Sequence, residues 1–258
     1  MADPTTWTLA WLGVAALLAG FVDAAVGGGG LIQLPALAVA FPAAAPVHLL
    51  AANKLAGTCG TTVSSATYFR RVRPDPRTFL PLMGVALLGS AAGAVLASHL
   101  PRSVFDPVIL VALVGVGAYV VIRPELGTTT ELRLTRGRHL SATVVCGLVI
   151  GFYDGALGPG TGSFFVFALV GVLGYSFLKA SAKARMANWA TNVAALLVFV
   201  TQGVVPWRLG LLMGAGNLVG SYVGARTAVA RGSRFVRVLF VVVVSAFVVR
   251  IGYGMLTG

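Results

Sequence analysis

Ten apolar runs fill this chain, and the gaps between them are too short to hold a second kind of structure. With soft boundaries they cover residues 7–26, 29–41, 46–69, 78–98, 104–122, 139–157, 161–175, 177–201, 206–229 and 235–256. A helix needs about 20 apolar residues to cross a bilayer, and most of the runs meet that length. Two do not: 29–41 and 161–175 are short, and both follow glycine-rich breaks. Segments of that kind are read as broken or re-entrant helices. The longest polar stretch, 123–139, leaves no room for a sizeable soluble domain. The expected fold class is an all-α integral membrane protein.

Charge supports that reading. Only 10% of the 258 residues are charged and 57% are hydrophobic, where a soluble domain carries about 25% charge. The balance is basic, Lys+Arg 19 against Asp+Glu 7, a formal +12. Such an excess often marks nucleic-acid binding. Here nearly every basic residue lies in a gap between apolar runs, which is where a polytopic membrane protein places it. Arg70, Arg71, Arg73 and Arg77 follow the third run, and Arg123, Arg133, Arg136 and Arg138 follow the fifth. Lys179 and Lys183 follow the seventh, and Arg226, Arg231, Arg234 and Arg237 flank the connection between the ninth and tenth. With ten crossings these loops share one side. The positive-inside rule then puts both termini outside the cytoplasm, in a bacterial-type inner membrane. The first basic residue is Lys54, so the first run is read as a span and not as a signal peptide. Cys59 and Cys146 are expected to be buried small residues.

The chain repeats itself. GFVDAAVGGGG at 20–30 returns as GFYDGALGPGT at 151–161. Gly20, Phe21, Asp23, Ala25, Gly27 and Gly29 recur as Gly151, Phe152, Asp154, Ala156, Gly158 and Gly160, all at one constant offset. Near the same offset Lys54 is matched with Lys183, the pair Gly89 and Ser90 with Gly220 and Ser221, and Gly93 with Gly224. In that matching Ala56 stands opposite Arg185, which is left without a counterpart. Each copy holds five runs, an odd number, so the second enters the membrane from the opposite side. That is an inverted-topology repeat, frequent in secondary transporters. The expected division is an N-terminal membrane repeat over 1–126, a cytoplasmic linker over 127–138 and a C-terminal membrane repeat over 139–258.

A paired G-F-x-D-x-x-x-G-x-G block followed by proline-punctuated apolar runs resembles the TauE/SafE sulfite exporters, also called TSUP permeases. The resemblance covers both halves. The first block, with its GGGG, then Leu34 and Pro35, then 51–54, fits the family pattern well. The second departs from it: Pro159 and Thr161 replace two glycines, and no proline answers Pro35. The resemblance implies transport of a sulfur-containing anion such as sulfite, sulfoacetate or another sulfonate.

Few side chains inside the runs can do chemistry. Asp23 and Asp154 occupy equivalent places, and a carboxylate in a membrane is a functional candidate by default. They are the candidates for proton linkage; the structural reading has each capping a half-helix or the amides of its glycine break. Lys54 sits about 12 Å into its run at 1.5 Å per residue, and Lys183 is placed to match from the other side. Together they are expected to supply charge to an anion near the midplane. A snorkelling role for Lys183, or a pairing of each lysine with the aspartate of its own repeat, would account for them too. Arg185 is either a fork for a sulfonate or a headgroup anchor at a helix end. The breaks offer backbone amides and helix N-termini to an anion through Gly28, Gly29 and Gly30, and through Gly160, Thr161 and Gly162. Close helix packing is the bland alternative. Asn53, Thr58, Asn188 and Asn192 complete the expected substrate site, with Asn217 and Ser221 of second rank.

These readings predict a secondary transporter for a small sulfur-containing anion, working by alternating access around a central site, with an uncoupled anion channel as the alternative. The expected partners are that anion and the lipid bilayer, with no nucleic acid. No cofactor, metal or catalytic residue is expected. HExxH, GxSxG and Walker motifs are absent from the sequence, which disfavours an intramembrane enzyme or an ATP-driven pump.

Overall fold

The computed structural model describes residues 5–97, 127 and 129–257, so the apolar run at 104–122 lies outside the described residues. Among the described residues there are eight helices and no strand: α1 (Thr6–Val26), α2 (Gly29–Ala40), α3 (Pro46–Val72), α4 (Pro76–Ala97), α5 (Arg136–Ala156), α6 (Thr161–Gly171), α7 (Phe177–Thr201) and α8 (Trp207–Thr257). Local chemistry sets the ends. Thr5 caps α1 by accepting from the Thr8 amide at 3.2 Å, filling one of the orphan donors of a helix start. Gly27 ends α1 at φ 80°. Pro46 opens α3, where a missing N–H costs nothing. Gly232, at φ 72° and ψ −170°, breaks α8 into arms 207–231 and 233–257, which correspond to the ninth and tenth apolar runs.

α1, α4 and α5 are long and apolar enough to cross a membrane. Their outer faces carry exposed Val14, Leu18, Leu88, Val145 and Val149. A contiguous apolar exterior of that kind suits lipid and not water. α2 and α6 are shorter, at 12 and 11 residues. α6 is buried on nearly every side, with Phe165, Val166 and Leu169 in the largest core cluster. Cys59 and Cys146 are half-buried, less enclosed than the sequence suggested, because each sits on a helix flank.

Helices pack across the two halves of the chain. α1 lies along α8, α4 along α5, α3 against α8, and α7 against α4. Small residues make the approach close. A Cβ at Gly89 would strike the Leu148 carbonyl and one at Gly93 the Phe152 carbonyl; one at Gly220 would strike the Leu17 carbonyl and one at Gly224 the Phe21 carbonyl. The second pair of contacts is the first with every partner moved by the offset that separates Gly20 from Gly151. The segment after residue 129 folds against the α6–α7 connection, with the Glu131 amide donating to the Gly174 carbonyl at 2.8 Å.

Candidate functional site

The two glycine breaks meet at the centre of the molecule. Gly27, ending α1, packs so tightly on Gly162 and Ser163 at the start of α6 that a Cβ would overlap their backbone. Ser163 Oγ donates to the Gly27 carbonyl at 2.6 Å. Gly28 (φ 120°), Gly158 (φ 87°) and Gly160 (φ 81°) hold backbone conformations that side chains resist. These turns start two short helices, α2 from one half and α6 from the other, whose first residues adjoin at the breaks.

Around the breaks lies a small polar cavity of about 30 Å³, partly open at its mouth. Asp23, Gly28, Gly29, Gly30, Asn53, Lys54, Asp154, Gly160, Thr161, Gly162, Asn188 and Asn192, all candidates from the sequence, line it together. Gly57, Gly158 and Asn217 line it too. Gly57 and Gly158 were outside the expected set, and Asn217 was only of second rank. Behind Asn217 stands Gln33, buried in α2, whose Oε1 accepts from Asn217 Nδ2 at 3.0 Å. A lone amide inside the apolar run 29–41 was the signal for it.

Two ion pairs stand at the cavity, and both join one half of the chain to the other; of the four partners Arg185, also expected in the substrate site, is not a lining residue and reaches the cavity wall through Asp23. Lys54 Nζ, on α3, sits 2.6 Å from Asp154 Oδ2 on α5, both nearly inaccessible. The approach is off-axis, so the charges touch although Asp154 Oδ2 has no partner of hydrogen-bond geometry. Arg185 Nη1, on α7, sits 2.7 Å from Asp23 Oδ2 on α1. Arg185 is fully buried, which rules out the headgroup-anchor reading. The pairing of each cation with the aspartate of its own repeat is also wrong, since each reaches into the other half.

The matching of Lys54 with Lys183 is corrected as well. Arg185 stands from Lys54 as Gly151 stands from Gly20, and it is the counterpart of Lys54 in both sequence register and geometry. Lys183 does not line the cavity. Its Nζ lies 3.5 Å from the Asp75 carbonyl and 4.6 Å from the centre of the Tyr175 ring. There it joins a polar group in which Thr78 Oγ1 contacts Tyr175 OH at 2.9 Å and His139 Nε2 at 3.2 Å. Thr58 is also outside the cavity lining, its hydroxyl donating to the Lys54 carbonyl at 2.7 Å, the usual fate of a threonine within a helix.

The aspartates are equivalent in sequence but differ in surroundings. Asp23 Oδ1 accepts from the Gly28 and Gly29 amides, each at 3.2 Å, and Oδ2 accepts from Asn188 Nδ2 at 3.4 Å besides Arg185. The first amides of α2 are therefore taken by Asp23. Gly160, before α6, has no side chain to cap it, and among the described residues no group accepts from the N–H of Thr161 or Gly162, which share the cavity lining with Lys54. Nε and Nη2 of Arg185 also lack partners, and Nη2 lies against Gly162. The open part of the cavity thus gathers a cation, helix-start amides and Asn53, Asn188 and Asn192, a donor-rich lining suited to an oxyanion. Among the described residues no group of His, Cys, Asp and Glu is placed to hold a metal.

The sulfite exporter TauE/SafE family model matches residues 12–251. The chain is 37% identical to a probable membrane transporter protein, ORF9, of a Sinorhizobium species, over 97% of this chain and 95% of that protein. It is 34% identical to the probable membrane transporter protein YfcA of Escherichia coli K12, over 88% and 83% of the two chains. A probable membrane transporter protein of Haemophilus influenzae is 32% identical over 91% and 90%. No solved structure matches the chain.

Proposed function

This chain belongs to the sulfite exporter TauE/SafE family of membrane transporters, and on that premise we propose that it carries a small sulfur-containing anion, sulfite or a sulfonate such as sulfoacetate, through the central cavity. The observation that carries this reading is the uncapped start of α6 facing Lys54 and the asparagines inside a membrane protein. A sulfur oxyanion needs several donors and one or two positive charges, and the amides, the asparagines and Lys54 of this lining can supply them.

We propose further that the halves are inverted repeats and that the site opens to each side of the inner membrane in turn, with proton linkage through the buried carboxylates. The helix contacts that recur at the repeat offset support the repeat. On this reading the rocking units are the mixed pairs α1 with α8 and α4 with α5, whose close backbone contacts favour their moving together.

Uptake of sulfite and sulfoacetate into proteoliposomes tests the reading. Saturable uptake that responds to a pH gradient is expected, with taurine and sulfate as comparison cargo. Lys54→Ala is expected to lower apparent affinity by about 10- to 100-fold, the worth of one charge-assisted bond. Equal uptake by wild type and Lys54→Ala would refute the site. Flux that neither saturates nor responds to the gradient would make the protein a channel.

A further inference from the structure

We infer that the two aspartates of the cavity do different work: Asp23 is a fixed lock on the first glycine break, and Asp154 is the exchangeable counter-ion of Lys54, displaced when the anion arrives. This rests on the anion-carrier reading above and adds a division of labour to it. Asp23 has four donors, two of them backbone amides from the turn it closes. To release it would uncap α2 and strand Arg185. Among the described residues Asp154 has one partner, Lys54, in a contact off the hydrogen-bond axis. At the repeat offset the counterparts of the Gly28 and Gly29 amides that Asp23 holds belong to Pro159, which has no N–H, and to Gly160, which makes no bond to Asp154, so the second break does not tie its carboxylate down. Only one of the two equivalent carboxylates is therefore free to leave.

Charge bookkeeping gives the displacement a consequence. Lys54, Arg185, Asp23 and Asp154 sum to zero, so the resting cavity is neutral. An added anion brings net charge into a low-dielectric site, which is costly unless something compensates. The groups facing Asp154 leave one option. From α3 comes Lys54, which turns to the anion. Tyr153, on its own helix, donates to the Pro159 carbonyl at 2.6 Å. From α7 come the neutral Asn188 and Asn192, and Arg185 is held by Asp23. Asp154 then takes one proton from the aqueous side as its bond to Lys54 is replaced by the anion's, so one anion and one proton occupy the site together.

Infrared spectroscopy of purified protein tests the division without any cargo. Lys54→Met should bring a protonated-carboxyl band that disappears in Lys54→Met/Asp154→Asn, because Asp154 has lost its only partner. Arg185→Met should bring no such band, because Asp23 keeps two amides and Asn188; failure of that variant to fold is what a lock demands. A band in Arg185→Met, or none in Lys54→Met, overturns the assignment. The second readout is calorimetry with methanesulfonate, a monovalent sulfonate that does not itself titrate near neutral pH, so that any proton taken up belongs to the protein. The wild type should take up one proton per anion, and Asp154→Asn should bind methanesulfonate about tenfold more tightly, with its competitor gone, and take up none. An Asp154→Asn protein that folds but no longer binds, or that still takes up a proton, overturns the exchange. If the wild type binds none of methanesulfonate, sulfite and sulfoacetate, the cargo reading fails and the infrared result alone decides the division.

Discussion

Glycine contacts give the sharpest test of the fold, because the sign of one substitution flips with position. A Cβ at Gly93 would fall on the Phe152 carbonyl and 2.8 Å from the Ala156 nitrogen. At Gly224 it would fall on the Phe21 carbonyl and 2.9 Å from the Phe21 Cα. Ordinary contact begins at 3.4 Å, so each helix pair must part by half an ångström or more. The obstacle in both places is backbone, which cannot rotate away. Overpacking costs about 1–3 kcal/mol, and a backbone obstacle puts these sites at the upper end. Against it stands a gain of about 0.5–1 kcal/mol from replacing glycine by alanine within a helix. Gly93→Ala and Gly224→Ala should therefore each lose about 2 kcal/mol. Gly13 and Gly84 have nothing within 4 Å of the added carbon, so Gly13→Ala and Gly84→Ala should gain the helical term alone, about 0.5–1 kcal/mol. Unfolding of the four variants in one detergent or bicelle, followed by helical circular dichroism, reads the differences. Gly93→Ala as stable as Gly84→Ala would refute the packing. A gap above about 1 kcal/mol between Gly93→Ala and Gly224→Ala would refute the equivalence of the two contacts, since additive errors are smaller.

Two further outcomes separate the cavity from its surroundings. Lys183→Met should leave sulfite uptake within about twofold of wild type, as a residue with no contact to the cargo; a loss matching that of Lys54→Ala would return Lys183 to the site. Tyr68, fully buried, donates to the Ala24 carbonyl at 3.0 Å. Tyr68→Phe should lower stability by about 1 kcal/mol in the same unfolding assay while leaving the apparent affinity for sulfite unchanged, and a changed affinity would show that the cavity feels this bond.

Several helix ends were legible because the apolar run stops at a glycine or proline. Gly27, Pro46, Gly158 and Gly232 mark boundaries that the helices respect to within a few residues. The cavity lining was legible for a related reason. Polar groups inside apolar runs are scarce, so Asp23, Asn53, Lys54, Asp154, Asn188 and Asn192 left few alternatives, and the cavity gathers all of them. The partners were not legible. Composition places a charge in the membrane, but which opposite charge it meets depends on how helices from distant parts of the chain cross. That is why pairing within each repeat looked reasonable and pairing across the repeats is what occurs.

The slip from Arg185 to Lys183 shows how fine the register of a membrane helix is. Chemical likeness favoured lysine with lysine, two positions short of the repeat offset, over lysine with arginine in register. At 3.6 residues per turn, two positions rotate a side chain by about 200° around the axis. Lys183 and Arg185 therefore leave α7 on nearly opposite faces: one toward the Asp75 carbonyl and the Tyr175 ring, the other into the ion pair with Asp23. Gly89, Ser90, Gly93 and the aspartates, on other helices, all keep the one offset, and the cation keeps it too, as lysine on α3 and arginine on α7. The ion pairs need that register: a cation two positions earlier on α7 meets the Asp75 carbonyl, and only the one in register meets Asp23.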